Sequence, residues 1–185
     1  MKSQEPATRR IALLRGINVG RAKRVTMADL RALFESLGYR DVKTLLNSGN
    51  VVFTVPGTDR REPAARIEEA MTARLGFSAR VTVITAAELA TAVAENPLLE
   101  VAGDPARLLV AVLNDPAHRT RLEPLARQDW APEAMAVGRR VAYLWCAEGI
   151  LVSPLATAVN RVLGESTTAR NWTTMLKLEA LAGAA

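Results

Sequence analysis

The stretch Val42-Lys-Thr-Leu-Leu46, Asn47-Ser-Gly-Asn50, Val51-Val-Phe-Thr-Val55 decides the fold of the first half of the chain. Two short runs rich in β-branched and apolar residues flank four residues of strong turn chemistry, which reads as a β-hairpin. Pro56-Gly57 closes it. Upstream, Ile11-Ala-Leu-Leu14 is an apolar run of strand length, ended by Gly16. Between that run and the hairpin, Thr26-Met-Ala-Asp29 has the form of a helix start with Thr26 as cap. Met27, Leu30, Leu33, Phe34 and Leu37 recur at helical spacing on one face, and Gly38 stands where that helix would end. Downstream, Ala64, Ile67, Met71 and Leu75 form the inner stripe of a second helix from Glu62 to Leu75, and Arg80 to Ile84 reads as a fourth strand. The succession β-α-β-β-α-β predicts a ferredoxin-like antiparallel sheet ordered 4-1-3-2, with both helices on one face.

Beyond it, Thr85-Ala-Ala-Glu88 matches a capping box and opens a helix to about Ala94. Pro97, Gly103 and Pro105 mark the segment from Asn96 to Ala106 as a lobe boundary, giving lobes 1–95 and 96–185. In the second lobe, Leu108 to Leu113 is an apolar strand and His118 to Ala126 a helix. Strands at Met135 to Val137 and Val141 to Cys146 surround Gly138-Arg139, and helices follow at Ala156 to Leu163 and Ala169 to Leu181. The expected fold is α+β, with a ferredoxin-like N-terminal lobe and a smaller, partly similar C-terminal lobe. In that second lobe a helix stands where the fourth strand would be.

Composition is that of an ordinary globular protein, at 49% hydrophobic and 23% charged residues. Cys146 is the only cysteine, which rules out an intramolecular disulfide and points to a cytoplasmic setting. No apolar stretch approaches the roughly 18 residues of a membrane span, and residues 1–8 carry no leader-like apolar run. No membrane partner is expected. The net charge of +5 is unevenly spread: residues 1–80 hold 15 basic and 8 acidic side chains, a balance of +7. Such a half attracts anions or nucleic acid; the plainer reading is a set of solvated arginines.

In the expected sheet, strand one ends beside the start of strand three. Arg15-Gly16-Ile17-Asn18-Val19-Gly20 and Asn47-Ser48-Gly49-Asn50 therefore share one edge. Arg15, Asn18, Lys23, Asn47, Ser48 and Asn50 bring donors and positive potential there, while Gly16, Gly20 and Gly49 permit tight turns that aim N–H groups inward. This is a candidate site for a phosphate, a carboxylate or a nucleic-acid backbone. The competing reading makes Gly49 a turn residue only, Asn18 a loop brace, and Arg15 half of an ion pair. The loop is neither a phosphate-binding Walker motif, since Arg21 follows Gly20, nor a dinucleotide fingerprint. The expected last helix places Arg170, Thr173, Thr174 and Lys177 on a polar face with Asn171 beside it. Arg170 just inside a helix start suits an anion, so Arg170, Asn171, Thr174 and Lys177 join the candidate ligand-binding set. Trp172 and Met175 are expected to be buried.

Four pieces together, Arg15-Gly-Ile-Asn-Val-Gly20, Met27-x-x-Leu30-Arg31-x-Leu33, Asn47-Ser-Gly-Asn-Val51 with Phe53, and Thr168-x-Arg170-Asn-Trp172-x-Thr174, resemble domain-of-unknown-function family 1697. The resemblance runs from about Arg10 to Leu181. It implies a bacterial α+β protein of two subdomains and carries over no catalytic residue. The family pattern often has Gly-Gly after Asn-Val and Gln before Ser-Gly-Asn; here those places hold Gly20-Arg21 and Asn47.

Other chemistries find little footing. His118 and Cys146 are single, so neither a metal site nor a cofactor is expected. Ser48 and Ser153 lack a His–Asp partner in the pattern, and the neighbouring Glu68 and Glu69 do not face one another on a helix. Phe53 is the sole strong aromatic candidate on the first sheet, against the several exposed stacking residues of an RNA-binding sheet. Three classes remain. They are a protein binding an anionic ligand (a phosphate-containing small molecule, nucleotide or nucleic-acid backbone), a metal-independent enzyme on a phosphorylated or carboxylated metabolite, and a protein-interaction scaffold.

Overall fold

The computed structural model describes residues 7–20, 24–57, 59 and 61–184. The chain divides into two compact units, one from the N terminus to Ala86 together with the turn from Ala180, the other from Ala87 to Glu179. The helix following Thr85, read from sequence as the end of the first lobe, thus belongs to the second unit.

In the first unit, β1 (Thr8–Leu14), α1 (Met27–Ser36), β2 (Arg40–Leu45), β3 (Asn50–Val55), α2 (Pro63–Leu75) and β4 (Val81–Thr85) follow in the expected order. The sheet order is β2-β3-β1-β4, with β1 antiparallel to both β3 and β4. This is the ferredoxin-like arrangement. Thr26 caps α1, its hydroxyl accepting the Asp29 N–H at 3.0 Å. The helix ends in a Schellman turn: Gly38 N–H donates to Glu35 O at 2.9 Å and Tyr39 N–H to Phe34 O at 3.3 Å, with Gly38 at φ 86°. The turn brings Tyr39 back to the core, where Phe34, Tyr39 and Phe53 pack with Phe34–Phe53 centroids 5.1 Å apart. Ala12, Leu14, Val51 and Phe53 from the sheet meet Leu30, Leu33, Ile67 and Met71 from the two helices. Phe53 is fully buried there, which removes it as a stacking platform.

The second unit contains α3 (Ala86–Ala94) from Ala87 on, then β5 (Leu108–Leu113), a 3-10 turn at Pro116–Leu122 running into the short α4 (Glu123–Ala126), β6 (Ala134–Val137), β7 (Val141–Trp145), α5 (Pro154–Leu163) and β8 (Thr167–Asn171). Its sheet order, β6-β7-β5-β8, repeats that of the first. The expectation of a helix in place of the fourth strand is overturned. Residues 167–171 pair antiparallel with β5, Leu109 against Asn171 through Leu113 against Thr167, and the helix α6 (Trp172–Gly183) begins only afterwards. The β-branched pair Thr167-Thr168 favours strand. Pairing also supplies partners for the backbone of β5, a strand buried on both faces. Asn171 caps α6, with its Oδ1 accepting from Thr174 N–H at 3.0 Å and Thr174 Oγ1 at 2.8 Å. Trp172 is 5% exposed and Met175 fully buried.

Leu113, Leu122, Leu144, Leu155 and Val159 form the core on one face of this second sheet. Tyr143 points to the opposite face, since neighbouring residues of a strand alternate, and its hydroxyl donates to Ala92 O of α3 at 2.7 Å. Among the described residues no helix is long and apolar enough to cross a membrane.

Candidate functional site

The loop after β1 and the turn before β3 meet at one edge of the first sheet. Leu14 N–H donates to Gly49 O at 2.8 Å, extending the β1–β3 ladder into the turn, and Arg15 N–H donates to Arg80 O at 2.8 Å on the other side. Gly49 sits at φ 82°, and a Cβ there would lie 2.7 Å from Ile17 Cδ1 and 2.8 Å from Leu14 Cβ. Only glycine fits. Ile17, 2% exposed, drops from the loop into the core and pins it against the turn.

Asn18 is the brace between the two segments. Its Nδ2 donates to Val25 O at 3.0 Å and to Asn47 O at 2.8 Å, while its Oδ1 accepts from Val25 N–H at 2.9 Å. Its φ of 55° is one that asparagine tolerates better than most residues. Asn50, fully buried, spends its amide on Leu45 O at 2.8 Å and Ser48 Oγ at 3.0 Å. The side-chain amides of Asn18 and Asn50 are thus both engaged within the loop and the hairpin, Asn18 in the manner of a loop brace.

The backbone of the loop has different character. The sign of φ alternates along it, positive at Gly16 (72°), Asn18 (55°) and Gly20 (62°), with Ile17 and Val19 outside that region. Alternation of this kind turns successive N–H groups toward one side and makes a concavity suited to anions. None of the N–H groups from Gly16 to Gly20 has an acceptor among the described residues. Gly16, Val19 and Gly20 are exposed and Arg15 is half-buried at the start of the loop.

A concavity of about 490 Å³ lies alongside, between this loop and the start of α1, lined in part by Asn18, Asn47, Arg24, Thr26 and Asp29. Arg24 is exposed there and was absent from the sequence-based set; its place just ahead of the Thr26 cap was the available signal. Asp29 brings an acid to the same wall, with its Oδ2 accepting the Thr26 hydroxyl at 2.7 Å. Asn47 and Ser48 are exposed on the turn. Lys23 lies outside the described residues.

The C-terminal candidates belong to the second unit and have a different setting from the expected one. Arg170 is on β8 opposite Val110, not inside a helix start, and its Nη1 donates to Ala169 O at 2.8 Å. Burial lowers its pKa to about 10. Asn171 is a helix cap and Thr174 is buried against it, so neither faces outward with the exposed Lys177. The polar face expected for a helix begun at Ala169 does not form, because the strand occupies its first turn.

Cys146 is fully buried, and burial raises its thiol pKa, as suits a core residue. Among the described residues no cluster of three or more His, Cys, Asp or Glu side chains is placed to hold a metal.

Comparison with known proteins agrees with this architecture. The structure of the conserved bacterial protein SP0830 from Streptococcus pneumoniae is similar with a TM-score of 0.76 and 21% identity, over 96% of this chain and 99% of that one. At that identity the likeness speaks for the fold alone. No curated protein matches the chain. The family model described as "Protein of unknown function (DUF1697)" matches residues 7–143. Since the match takes in the whole first sheet and runs through β5 and β6 into β7 of the second, the chain belongs to the DUF1697 family.

Proposed function

We propose that the Gly16–Gly20 loop binds the phosphate group of a small molecule, nucleotide or nucleic-acid backbone, and that the first unit serves as a binding module. The observation that carries this reading is the run of five backbone N–H groups with alternating φ and no acceptor among the described residues. A phosphate offers three strong acceptor oxygens, a better match to so many donors than a carboxylate. Arg15 at the head of the loop and Arg24 beside the concavity add charge, and the guanidinium fork suits phosphate oxygens. Gly49, Ile17 and the Asn18 brace hold the loop in shape before any ligand arrives, which lowers the cost of binding.

Binding is favoured over catalysis by what surrounds the loop. The loop and the turn offer glycines, asparagines and apolar residues and hold neither the histidine nor the cysteine, and the Ser48 hydroxyl accepts a hydrogen bond from the Asn50 amide. Titration calorimetry with inorganic phosphate, ATP and a short single-stranded RNA, each at low and moderate salt, separates the sources. Saturable heat with phosphate or ATP supports a small-molecule site, whereas binding confined to RNA and steeply lost with salt supports a backbone site. Gly16→Ala tests the loop itself. A Cβ there meets nothing within 4 Å, so alanine alters only the φ preference, against a positive angle that disfavours it by about 1–2 kcal/mol. Binding is expected to weaken about tenfold. Unchanged binding in this variant would remove the loop from the site.

A further inference from the structure

The second unit holds a cavity of its own, of about 280 Å³, between α3 and the β6–β7 hairpin. At roughly 30 Å³ per water this is the room of about nine waters, enough for a small organic molecule. Its lining is chiefly apolar, with Val141 and Tyr143 from β7 facing Thr91 of α3. Glu88 on α3 and Glu95, one residue past its end with its N–H still donating to Thr91 O, stand seven residues apart on the same side, and two consecutive arginines oppose them.

The two ion pairs so formed differ in kind. Arg140 is locked: it donates to Glu88 Oε1 at 2.9 Å, Leu113 O at 3.2 Å and Asn114 O at 3.0 Å. Arg139 Nε lies 3.8 Å from Glu95 Oε2, with side chains 80% and 50% exposed. That second pair is long and solvent-exposed, the kind that contributes little to stability. The charged lining is balanced, two acids against two arginines, so a ligand carrying net charge would leave one group without a counterpart. A zwitterion would not.

We propose that this cavity binds an apolar α-amino acid. The ligand carboxylate takes Arg139, its ammonium takes Glu95, and its side chain lies over Thr91, Val141 and Tyr143. One weak exposed pair is exchanged for two charge-assisted ones, and the apolar side chain adds burial that the open pair lacks. The Arg140–Glu88 pair stays closed and gives the cavity a fixed inner wall. The site is separate from the loop of the first unit and stands or falls without it.

The test uses the full chain, with L-leucine, L-phenylalanine, glycine, 4-methylpentanoate and isoamylamine as probes, followed by the methyl resonances of Thr91 and Val141. Leucine and phenylalanine are expected to give saturable shifts at low-millimolar concentration. Glycine lacks the side chain, 4-methylpentanoate the ammonium and isoamylamine the carboxylate, so each should bind about tenfold more weakly or worse. Arg139→Gln and Glu95→Gln should each weaken leucine binding by a similar factor. Both side chains are exposed, and unshifted Val141 methyl positions without ligand establish that the variants are folded. Absence of shifts with either amino acid would overturn the proposal. So would equal binding of 4-methylpentanoate and isoamylamine, or leucine binding indifferent to both substitutions.

Discussion

Gly49 is the residue on which the edge of the first sheet turns. It combines a φ of 82° with backbone packed against Leu14 and Ile17, so alanine meets both a strained angle and a collision. Gly49→Ala should destabilise the protein by about 2–4 kcal/mol in denaturant unfolding; a loss below half a kilocalorie would mean that the turn relaxes freely. The Asn-Ser-Gly-Asn signature made this turn legible in sequence, because turn chemistry is local. The division of labour within it was not. Asn18 and Asn50 look alike as donors in sequence, and only the placement of Val25 O, Asn47 O and Leu45 O shows that their amides are already taken. Asn47 O comes from the hairpin, distant in sequence from Asn18, and no local pattern records that contact. What the residues left open, the backbone of Gly16–Gly20, was signalled by its glycines.

The helices α1 and α2 were readable because each carries a one-sided apolar stripe and a recognisable end, Thr26 with Asp29 for one and Gly76 at φ 72° for the other. The segment 167–171 was not. Thr-Thr-Ala-Arg-Asn offers caps and helix formers in one reading and β-branched residues in the other, and five residues are too few for either period to declare itself. The deciding influence is tertiary, the free edge of β5. The true cap of α6 is consequently Asn171, and Asn171→Ala should cost about 1 kcal/mol by loss of the bonds to Thr174. Asn171→Asp, which keeps the acceptor, should cost little. Equal stability of all three proteins in thermal unfolding would show that the cap contributes nothing.

At the scale of the molecule, one topology occurs twice: β2-β3-β1-β4 in the first unit and β6-β7-β5-β8 in the second, each followed at once by a helix. The sequence suggested only a partial second copy, since its halves share little beyond apolar patterning, and a fold can repeat where residues do not. Each unit carries one of the two tyrosines, and both are natural reporters. Burial raises the pKa of Tyr39 above 10, and raises that of Tyr143, 2% exposed, to about 12. The unfolded chain ionises its tyrosines near pH 10 while the folded one keeps its protons. Stability is then full below pH 10 and falls as pH rises toward the folded values, by about 3 kcal/mol through Tyr143. Tyrosinate absorbance of the folded protein should rise well above pH 10; a single midpoint at 10 would contradict the burial of both. The central claim, that the Gly16–Gly20 loop is a cradle for phosphate, is tested most directly by backbone amide NMR during a phosphate titration. Saturable downfield shifts of the Gly16 to Gly20 amides are expected, weakened in Gly16→Ala while the β1–β3 amides stay in place. Loop amides unmoved by phosphate, ATP and RNA at millimolar concentration, in a protein whose sheet resonances are native, would contradict it.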